Sequence, residues 1–264
     1  MPVFADESAD RVHRWRRYAA IGALAVGGVA LAWLLAVTAM RYGGQSIRQV
    51  AQQRVRGESI RNLEAIALAM NNYAADYGTY PPPVIRSETG QPMHSWRVVL
   101  LSYLGEEDLA ARYDMNEAWD AAGNVELQYE MPRVFRHPVA GGGGYSTQSS
   151  YYLITGPGTL FPPTGPLGPE DVRDDPSQTI LVIEGTPILT AGVWTEPVDL
   201  SVLRLGKDLR SAGGQTPGGL SDSGATLATV DGRGRFLRDS TEPMVLQALI
   251  TPQGGEPLAD DTLD

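Results

Sequence analysis

Residues 47–77 read IRQVAQQRVRGESIRNLEAIALAMNNYAADY, and this stretch decides the fold. Its apolar residues recur mostly at three- and four-residue steps from Ile47 to Tyr77, with charged and amide side chains between them. That spacing predicts an amphipathic helix with one buried stripe. We expect the helix to end at Gly78, because the run Pro81-Pro82-Pro83 cannot continue it.

An uncharged segment, Tyr18–Met40, precedes this helix and reads YAAIGALAVGGVALAWLLAVTAM. As a helix its 23 residues would span about 34 Å, enough for a bilayer hydrocarbon core of about 30 Å. Arginine is denser before the segment than after it, which predicts a cytoplasmic N-terminus. The flanking arginines are Arg11, Arg14, Arg16 and Arg17 on one side, and Arg41 and Arg48 on the other.

Two alternatives to a membrane helix start from the same segment. A buried core helix is disfavoured because 23 uncharged residues in a row are too many for most cores. A cleavable signal peptide could end at the small residues Val37-Thr38-Ala39, but the apolar stretch exceeds the usual length of about 7–15 residues. We therefore predict a permanent single-pass anchor in the bacterial inner (cytoplasmic) membrane.

Five segments follow from this interpretation. Residues 1–17 form a cytoplasmic N-terminal segment, 18–40 a transmembrane helix, and 41–80 its amphipathic continuation. Residues 81–250 form an ectodomain that is periplasmic or extracellular. The Gly/Pro/Asp-rich residues 251–264 are predicted to be a disordered acidic tail.

The ectodomain sequence changes from helical to β character along its length. Short helices are predicted at Ser95–Leu104, Glu106–Tyr113, Gly123–Met131 and Val245–Ile250. Strands are predicted at Ser149–Ile154, Thr179–Glu184, Thr226–Val230 and Arg233–Leu237. The last two strands flank Asp231-Gly232, a strong hairpin signal. The predicted fold class is α+β, with the long helix packed on an antiparallel sheet.

Composition excludes several classes of protein. The net charge is −10, and residues 42–264 carry 28 acidic against 16 basic side chains, since residues 1–41 hold three acids and five arginines. Phosphate backbones would be repelled, so we expect no nucleic acid partner. The chain has no cysteine, which rules out disulfides and thiolate metal sites.

Several motifs, taken together, resemble a known bacterial family. They are Arg61 to Tyr73 (RNLEAIALAMNNY), Tyr77-Gly78-Thr79-Tyr80-Pro81-Pro82, Ser95-Trp96-Arg97-Val98, Pro132-Arg133-Val134-Phe135, Thr155-Gly156-Pro157-Gly158, Thr179 to Glu184, Val193-Trp194-Thr195-Glu196-Pro197 and Asp231-Gly232. In this order they resemble the pilin-like domain of unknown function 1559, whose members carry a prepilin-processing-associated H-x9-DG signature. The resemblance covers about residues 60–250. It implies a long helix packed on an antiparallel sheet, and it assigns no activity, because the family is named for having none assigned.

Three departures limit what the resemblance carries over. The anchor lacks the Gly-Phe-Thr-Leu-Val-Glu run of a prepilin peptidase site, so processing and pilus assembly do not transfer. The signature histidine would fall at Ser221, and the usual cysteine after Arg136 is His137. These two changes remove groups that could have bound a metal or formed a disulfide.

No residue is predicted to be catalytic, to bind a cofactor or to bind a metal. His13, His94 and His137 are far apart and match no metal-ligand spacing. The run Gly141–Gly144 lacks the Gly-Lys-Ser/Thr of a phosphate loop, and the cluster Asp171, Asp174 and Asp175 lacks calcium-loop spacing. Ser149 and Ser150 lie in no nucleophile elbow, and Asp231 is expected to act as a turn former.

Two functions are compatible with these observations. The first is a membrane-anchored, pilin-like structural or interaction protein of the cell envelope, non-enzymatic, which associates with other envelope proteins or with itself. The second is a membrane-tethered extracytoplasmic domain that binds a small ligand or ion through the loop Gly156–Pro176.

Overall fold

The computed structural model describes residues 7–139, 146–185, 192–205, 221, 223–259 and 262–264. Within the first helix it describes side chains at 15–16, 27–34, 37–38 and from 48 onward. The chain divides into two compact units, residues 1–51 and 52–264. The second unit contains all of the folded α+β domain.

Helix α1 runs from Glu7 to Tyr77, through both the predicted anchor and its amphipathic continuation. It ends where the sequence predicts, because Gly78 follows with a left-handed φ of 81° that a side chain would disfavour. In the second unit the predicted stripe is confirmed in its middle, where Leu63, Ile66 and Met70 are fully buried, whereas Tyr77 at its end is 65% exposed.

Among the described residues, no helix combines the length and the apolar character needed to cross a membrane. The predicted span Tyr18–Met40 lies within α1, but more than half of its side chains fall outside the described ones.

Short elements follow α1, and the first pair was not predicted. Strands β1 (Val84–Arg86) and β2 (Pro92–Ser95) form an antiparallel hairpin closed by Gly90 with φ 84°. The predicted helices then appear in shorter form, as α2 (Trp96–Val99), α3 (Glu107–Arg112) and α4 (Ala122–Val125), with 3₁₀ turns at Ser102–Leu104, Glu126–Glu130 and Arg133–Phe135.

The central sheet is antiparallel and has the strand order β3-β5-β7-β8. Its strands are β3 (Tyr151–Tyr152), β5 (Ile180–Glu184), β7 (Gly224–Thr229) and β8 (Gly234–Arg238). The predicted Asp-Gly turn is confirmed between β7 and β8, with Gly232 at φ 83°. A smaller parallel pair joins β4 (Ile154–Thr155) to β6 (Leu200–Ser201).

Two hydrophobic clusters lie on opposite sides of this sheet, as strand alternation dictates. Val182 and Ala228 belong to the cluster that contains the buried stripe of α1. Ile183 and Leu227 belong to the other cluster, with helix α5 (Pro243–Ile250). The domain is therefore α+β, with its antiparallel sheet between two helical layers.

Close contact between α1 and the β7–β8 hairpin requires a glycine at one point. A Cβ on Gly234 would lie 2.5 Å from Ile60 Cγ2, well inside van der Waals contact. The Gly234 N–H also donates to Glu64 Oε1 at 3.1 Å. This contact fixes the position of the helix on the sheet.

The described part of the tail, 251–259 and 262–264, is not disordered as predicted but is held by long-range contacts. Asp174 accepts the backbone N–H groups of Gly254 and Gly255 at 2.8 and 2.9 Å. Asp264 exchanges two backbone hydrogen bonds with Phe236 of β8, and Leu263 is buried in the α5 cluster. Composition favoured disorder, but these contacts across about 80 and 30 residues are invisible to a local argument.

Candidate functional site

Two carboxylates are buried in the domain and organise its polar interior. Glu184 ends β5 and has no exposed surface, and the side chain of Asp199, just before β6, is 3% exposed. A buried charge is costly unless it is paired and hydrogen-bonded. The groups around these two carboxylates therefore form the candidate site.

Two residues that the structure describes donate hydrogen bonds to Glu184. Ser221 donates its backbone N–H to Oε1 and its hydroxyl to Oε2, both at 2.7 Å. Thr226 donates its N–H and its hydroxyl to Oε2, at 3.1 and 2.6 Å. The antiparallel register that pairs Ile183 with Leu227 places Glu184 beside Thr226. Charge-assisted bonds of this kind are the strong ones in proteins.

A directed chain of hydrogen bonds connects helix α1 to Glu184. Because Thr226 donates its hydroxyl to Glu184, it must accept from Ser59, whose Oγ lies 2.6 Å away. Ser59 then accepts from the Tyr151 hydroxyl at 2.9 Å, and Tyr151 accepts from Asn62 Nδ2 at 3.4 Å. Every donor in the chain points towards the carboxylate, so the bonds strengthen one another.

His137 faces the same carboxylate as a neutral ring. Its Nδ1 accepts the Val139 N–H at 3.3 Å, so we assign the proton to Nε2. Nε2 lies 3.3 Å from Ser221 Oγ and 3.6 Å from Glu184 Oε2. Burial lowers the pKa of His137, and the nearby Glu184 charge offsets only part of that effect.

This serine, histidine and glutamate are not arranged for nucleophilic catalysis. A general base must offer a lone pair to the hydroxyl, but the Nε2 that faces Ser221 carries a proton. The Ser221 hydroxyl is already donated to Glu184. The same assignment leaves His137 Nε2 without a lone pair for a metal ion.

Arg97 lies at the centre of a second buried network. Its Nε donates to Ser149 Oγ at 3.0 Å, and its Nη1 donates to Ser95 Oγ at 2.9 Å. Its Nη2 donates to the Tyr151 carbonyl at 2.6 Å and to Asp199 Oδ1 at 3.3 Å. Tyr151 thus joins the two networks, through its hydroxyl on one side and its carbonyl on the other.

The two carboxylate oxygens of Asp199 differ in their hydrogen bonding. Its Oδ1 accepts from Trp96 Nε1 at 3.1 Å and from the Leu153 N–H at 2.9 Å, in addition to Arg97. Its buried Oδ2 has no hydrogen-bond partner among the described residues. Burial raises the pKa of Asp199 to about 6, although Arg97 and the other donors pull it down.

Two other buried oxygens close to Asp199 in the sequence share this feature. Thr195 Oγ1 and Glu196 Oε2 also have no partner within the part of the chain that the structure describes. Burial raises the pKa of Glu196, and its hydrogen bonds to the Gly192 and Val193 backbone oppose that shift.

His94 and Asp231, both considered from the sequence, make internal hydrogen bonds in the structure. His94 lies between the Tyr113 hydroxyl at 3.1 Å and the Met115 carbonyl at 3.0 Å, and burial lowers its pKa. Asp231 accepts from the Thr229 hydroxyl and the Arg233 N–H inside its turn.

The aspartates once considered for calcium bind backbone N–H groups instead. Asp171 accepts from Gly168, Asp175 from Ser177 and Asp174 from the tail. Among the described residues, no three acidic or histidine side chains are grouped to hold a metal ion. The His13 side chain and the run 141–144 lie outside the described residues.

The sequence did not predict that His137, Glu184 and Ser221 would meet. One signal could have suggested it, because two of the three departures from the family pattern fall at 137 and 221. The structure brings those two side chains to 3.3 Å of each other. Two changes at touching positions are best understood as one exchange of polar groups around Glu184.

Comparison with known proteins gives one result. The model of a family described as "Protein of unknown function (DUF1559)" matches residues 45–200, which is more than half of the chain. No curated protein and no solved structure matches.

Proposed function

Since the chain belongs to the family of proteins of unknown function called DUF1559, we propose that it is a membrane-anchored, pilin-like structural or interaction protein of the bacterial cell envelope. The proposal gives it no enzymatic activity. Its partners are the membrane, other envelope proteins and further copies of itself.

One observation carries this proposal, namely the uncovered apolar surface in the first half of α1. All eight side chains of residues 27–34 are exposed, over more than two helical turns. They include Val29, Leu31, Trp33 and Leu34, each more than half exposed. A soluble surface rarely shows so much contiguous apolar area, so this part of the helix needs lipid or another helix around it.

The sequence around this surface supports insertion in one direction. The uncharged residues 18–40 are long enough to cross a bilayer, and arginine is denser before them than after them. The N-terminus would then be cytoplasmic, with the domain from Gln52 onward in the periplasm or outside the cell.

The absence of enzymatic activity is supported by the way the buried groups are used. Glu184, His137 and the Ser221 hydroxyl all form hydrogen bonds with partners inside the domain. A catalytic group needs a free proton or lone pair in reach of substrate. The loop Gly156–Pro176, considered for ligand binding, also bonds to itself and to Tyr80.

Membrane extraction of the full chain tests the anchor. The double variant Leu31→Arg/Leu34→Arg places two charges in the proposed span, and Leu203→Arg/Met244→Arg places two on exposed apolar positions of the domain. Charges at a bilayer centre cost about 2.5–3.5 kcal/mol each. We expect the first variant to leave the carbonate-resistant membrane fraction and the second to stay.

A reporter fused after Asp264 tests orientation in the same cells, and it should be active only outside the cytoplasm. Carbonate release of the unaltered chain would overturn the anchor. Reporter activity in the cytoplasm would overturn the orientation alone.

Self-association can be tested at a single introduced thiol, because the chain has no cysteine. Trp33→Cys in membranes should give a disulfide-linked dimer on oxidation, whereas Leu203→Cys should give much less. Equal yields from both positions, or none from either, would remove the support for pairing through the helix.

A further inference from the structure

Three tyrosines and one aspartate form a group beside the end of α1, which we call the tyrosine patch; Asp76 and Tyr77 are exposed, and Tyr73 and Tyr103 are partly buried. Tyr77 stacks on Tyr73 with ring centroids 4.4 Å apart, and Tyr73 meets Tyr103 edge to face at 5.8 Å. The Tyr103 hydroxyl donates to Asp76 Oδ2 at 2.7 Å. These contacts fix the rings and the carboxylate relative to one another before anything binds.

Several groups of the tyrosine patch are available to a binding partner. Tyr77 is 65% exposed. Within the described residues, the hydroxyls of Tyr73 and Tyr77 make no hydrogen bond, and Asp76 accepts only the one from Tyr103. Exposed aromatic faces attract cations, and an adjacent carboxylate adds to that attraction.

Elsewhere on the surface of this protein, an aromatic ring and a carboxylate together hold an arginine. The guanidinium of Arg56 lies 3.4 Å from the centroid of the Phe236 ring. Asp264 lies beside it, with Oδ2 3.5 Å from Arg56 Nη2. An arginine is thus held between an aromatic face and a carboxylate.

The interior repeats this arrangement. The guanidinium of Arg97 lies 4.5 Å from the Trp96 ring and 5.0 Å from the Tyr152 ring, and it pairs with Asp199. The tyrosine patch has the aromatic faces and the carboxylate, but no cation covers it among the described residues.

We propose that the tyrosine patch binds an arginine or lysine side chain from a basic segment of a partner protein, with the cation over Tyr77 and Asp76 as its counter-ion. The charge of the chain agrees with this partner. Residues 42–264 carry 28 acidic against 16 basic side chains, so long-range attraction favours a basic partner and disfavours an anionic one. All four residues of the tyrosine patch belong to the unit 52–264, and cation binding there does not require a membrane anchor.

Binding of a blocked hexa-arginine peptide to the full chain, measured by calorimetry in detergent, tests the proposal. The variant Asp76→Asn/Tyr77→Leu removes the charge and the exposed ring. The control Glu88→Gln/Tyr129→Leu makes the same changes in charge and aromatic content at other exposed positions. We expect affinity to fall about tenfold in the first variant and to stay within about twofold in the control.

Two further probes separate this partner from others. Hexa-citrulline has the shape of hexa-arginine without its charge, and it should bind much more weakly. Chitohexaose reports an aromatic site for sugars. Equal losses in both double variants, equal binding of the citrulline peptide, or tyrosine-dependent binding of chitohexaose alone would each overturn the proposal. Thermal melts check that both variants stay folded. The first should melt slightly lower, because its substitutions weaken the contacts with Tyr73 and Tyr103.

Discussion

Glu184 and Asp199 are both buried carboxylates, yet the protein stabilises them in different ways. Ser221 and Thr226 donate to both oxygens of Glu184. Asp199 has an arginine partner, but all its described hydrogen bonds go to one oxygen. The difference teaches that donors on both oxygens satisfy a buried carboxylate, whereas an arginine that reaches only one oxygen leaves Asp199 sensitive to protonation.

The largest effect on stability is expected when the cation beside Asp199 is removed. Arg97→Met keeps much of the side-chain volume and leaves an uncompensated buried charge, which costs about 3–5 kcal/mol of unfolding free energy. Urea unfolding at pH 8 should show this loss. At pH 4, where Asp199 holds a proton, the loss should be smaller.

The double variant Arg97→Met/Asp199→Asn is the matched control, because it removes both charges. It should recover part of the lost stability at pH 8. A double variant less stable than Arg97→Met alone would mean that the ion pair is not what Arg97 contributes.

Asp199 should also make stability depend on pH. Its pKa is about 6 in the folded protein, against about 3.9 in an unfolded chain. The folded state binds the proton more tightly, so this contribution is complete below about pH 4 and is lost as pH rises through 6. At about 1.4 kcal/mol per pKa unit, the loss is about 3 kcal/mol.

Asp199→Asn cannot titrate, so comparing it with the unaltered protein isolates the contribution of Asp199 to the pH dependence of stability. Its stability relative to the unaltered protein should rise by about 3 kcal/mol between pH 4 and pH 8. His137 acts in the opposite direction, since its lowered pKa costs stability as pH falls below about 6.5. It is present in both proteins and cancels in the difference. A difference that does not vary with pH would show that the pKa of Asp199 is the same in the folded and unfolded states.

The hydrogen bonds to both oxygens of Glu184 predict a large cost for a substitution that keeps the shape of the side chain. Glu184→Gln turns one acceptor into an N–H donor facing the donors of Ser221 and Thr226. An unsatisfied buried polar group of this kind costs about 2–3 kcal/mol. Guanidinium unfolding should show this loss, whereas Glu88→Gln on the surface should stay within about 0.5 kcal/mol. Equal small effects at both positions would mean that these hydrogen bonds contribute little.

The sequence predicted those parts of the fold that depend on local patterns. The stripe through Leu63 and Met70, the end of α1 at Gly78 and the turn at Asp231-Gly232 each follow from neighbouring residues, and the structure confirms all three. The β1–β2 hairpin was missed because β1 has only three residues and β2, with the sequence PMHS, has no β-branched residue.

The polar interior could not be predicted in the same way. Ser59, Tyr151, Glu184 and Thr226 come from four elements, up to 167 residues apart, and each looks ordinary in its own segment. Only the antiparallel register of β5 with β7, and the position of α1 on them, bring these side chains together. The one sequence signal that pointed there was the paired departure at His137 and Ser221.

The smallest effect concerns the link between α1 and Glu184. Ser59→Ala removes the donor to Thr226 and the acceptor for Tyr151, which should cost about 1–2 kcal/mol. Ser102→Ala, at an exposed serine, should cost almost nothing. If the chain is cooperative, Ser59→Ala will cost less in a Glu184→Gln background, because the chain then no longer ends on a full acceptor. Strictly additive losses in that double variant would mean that α1 and the carboxylate are stabilised independently, and the hydrogen bonds between them would then be only neighbours in space.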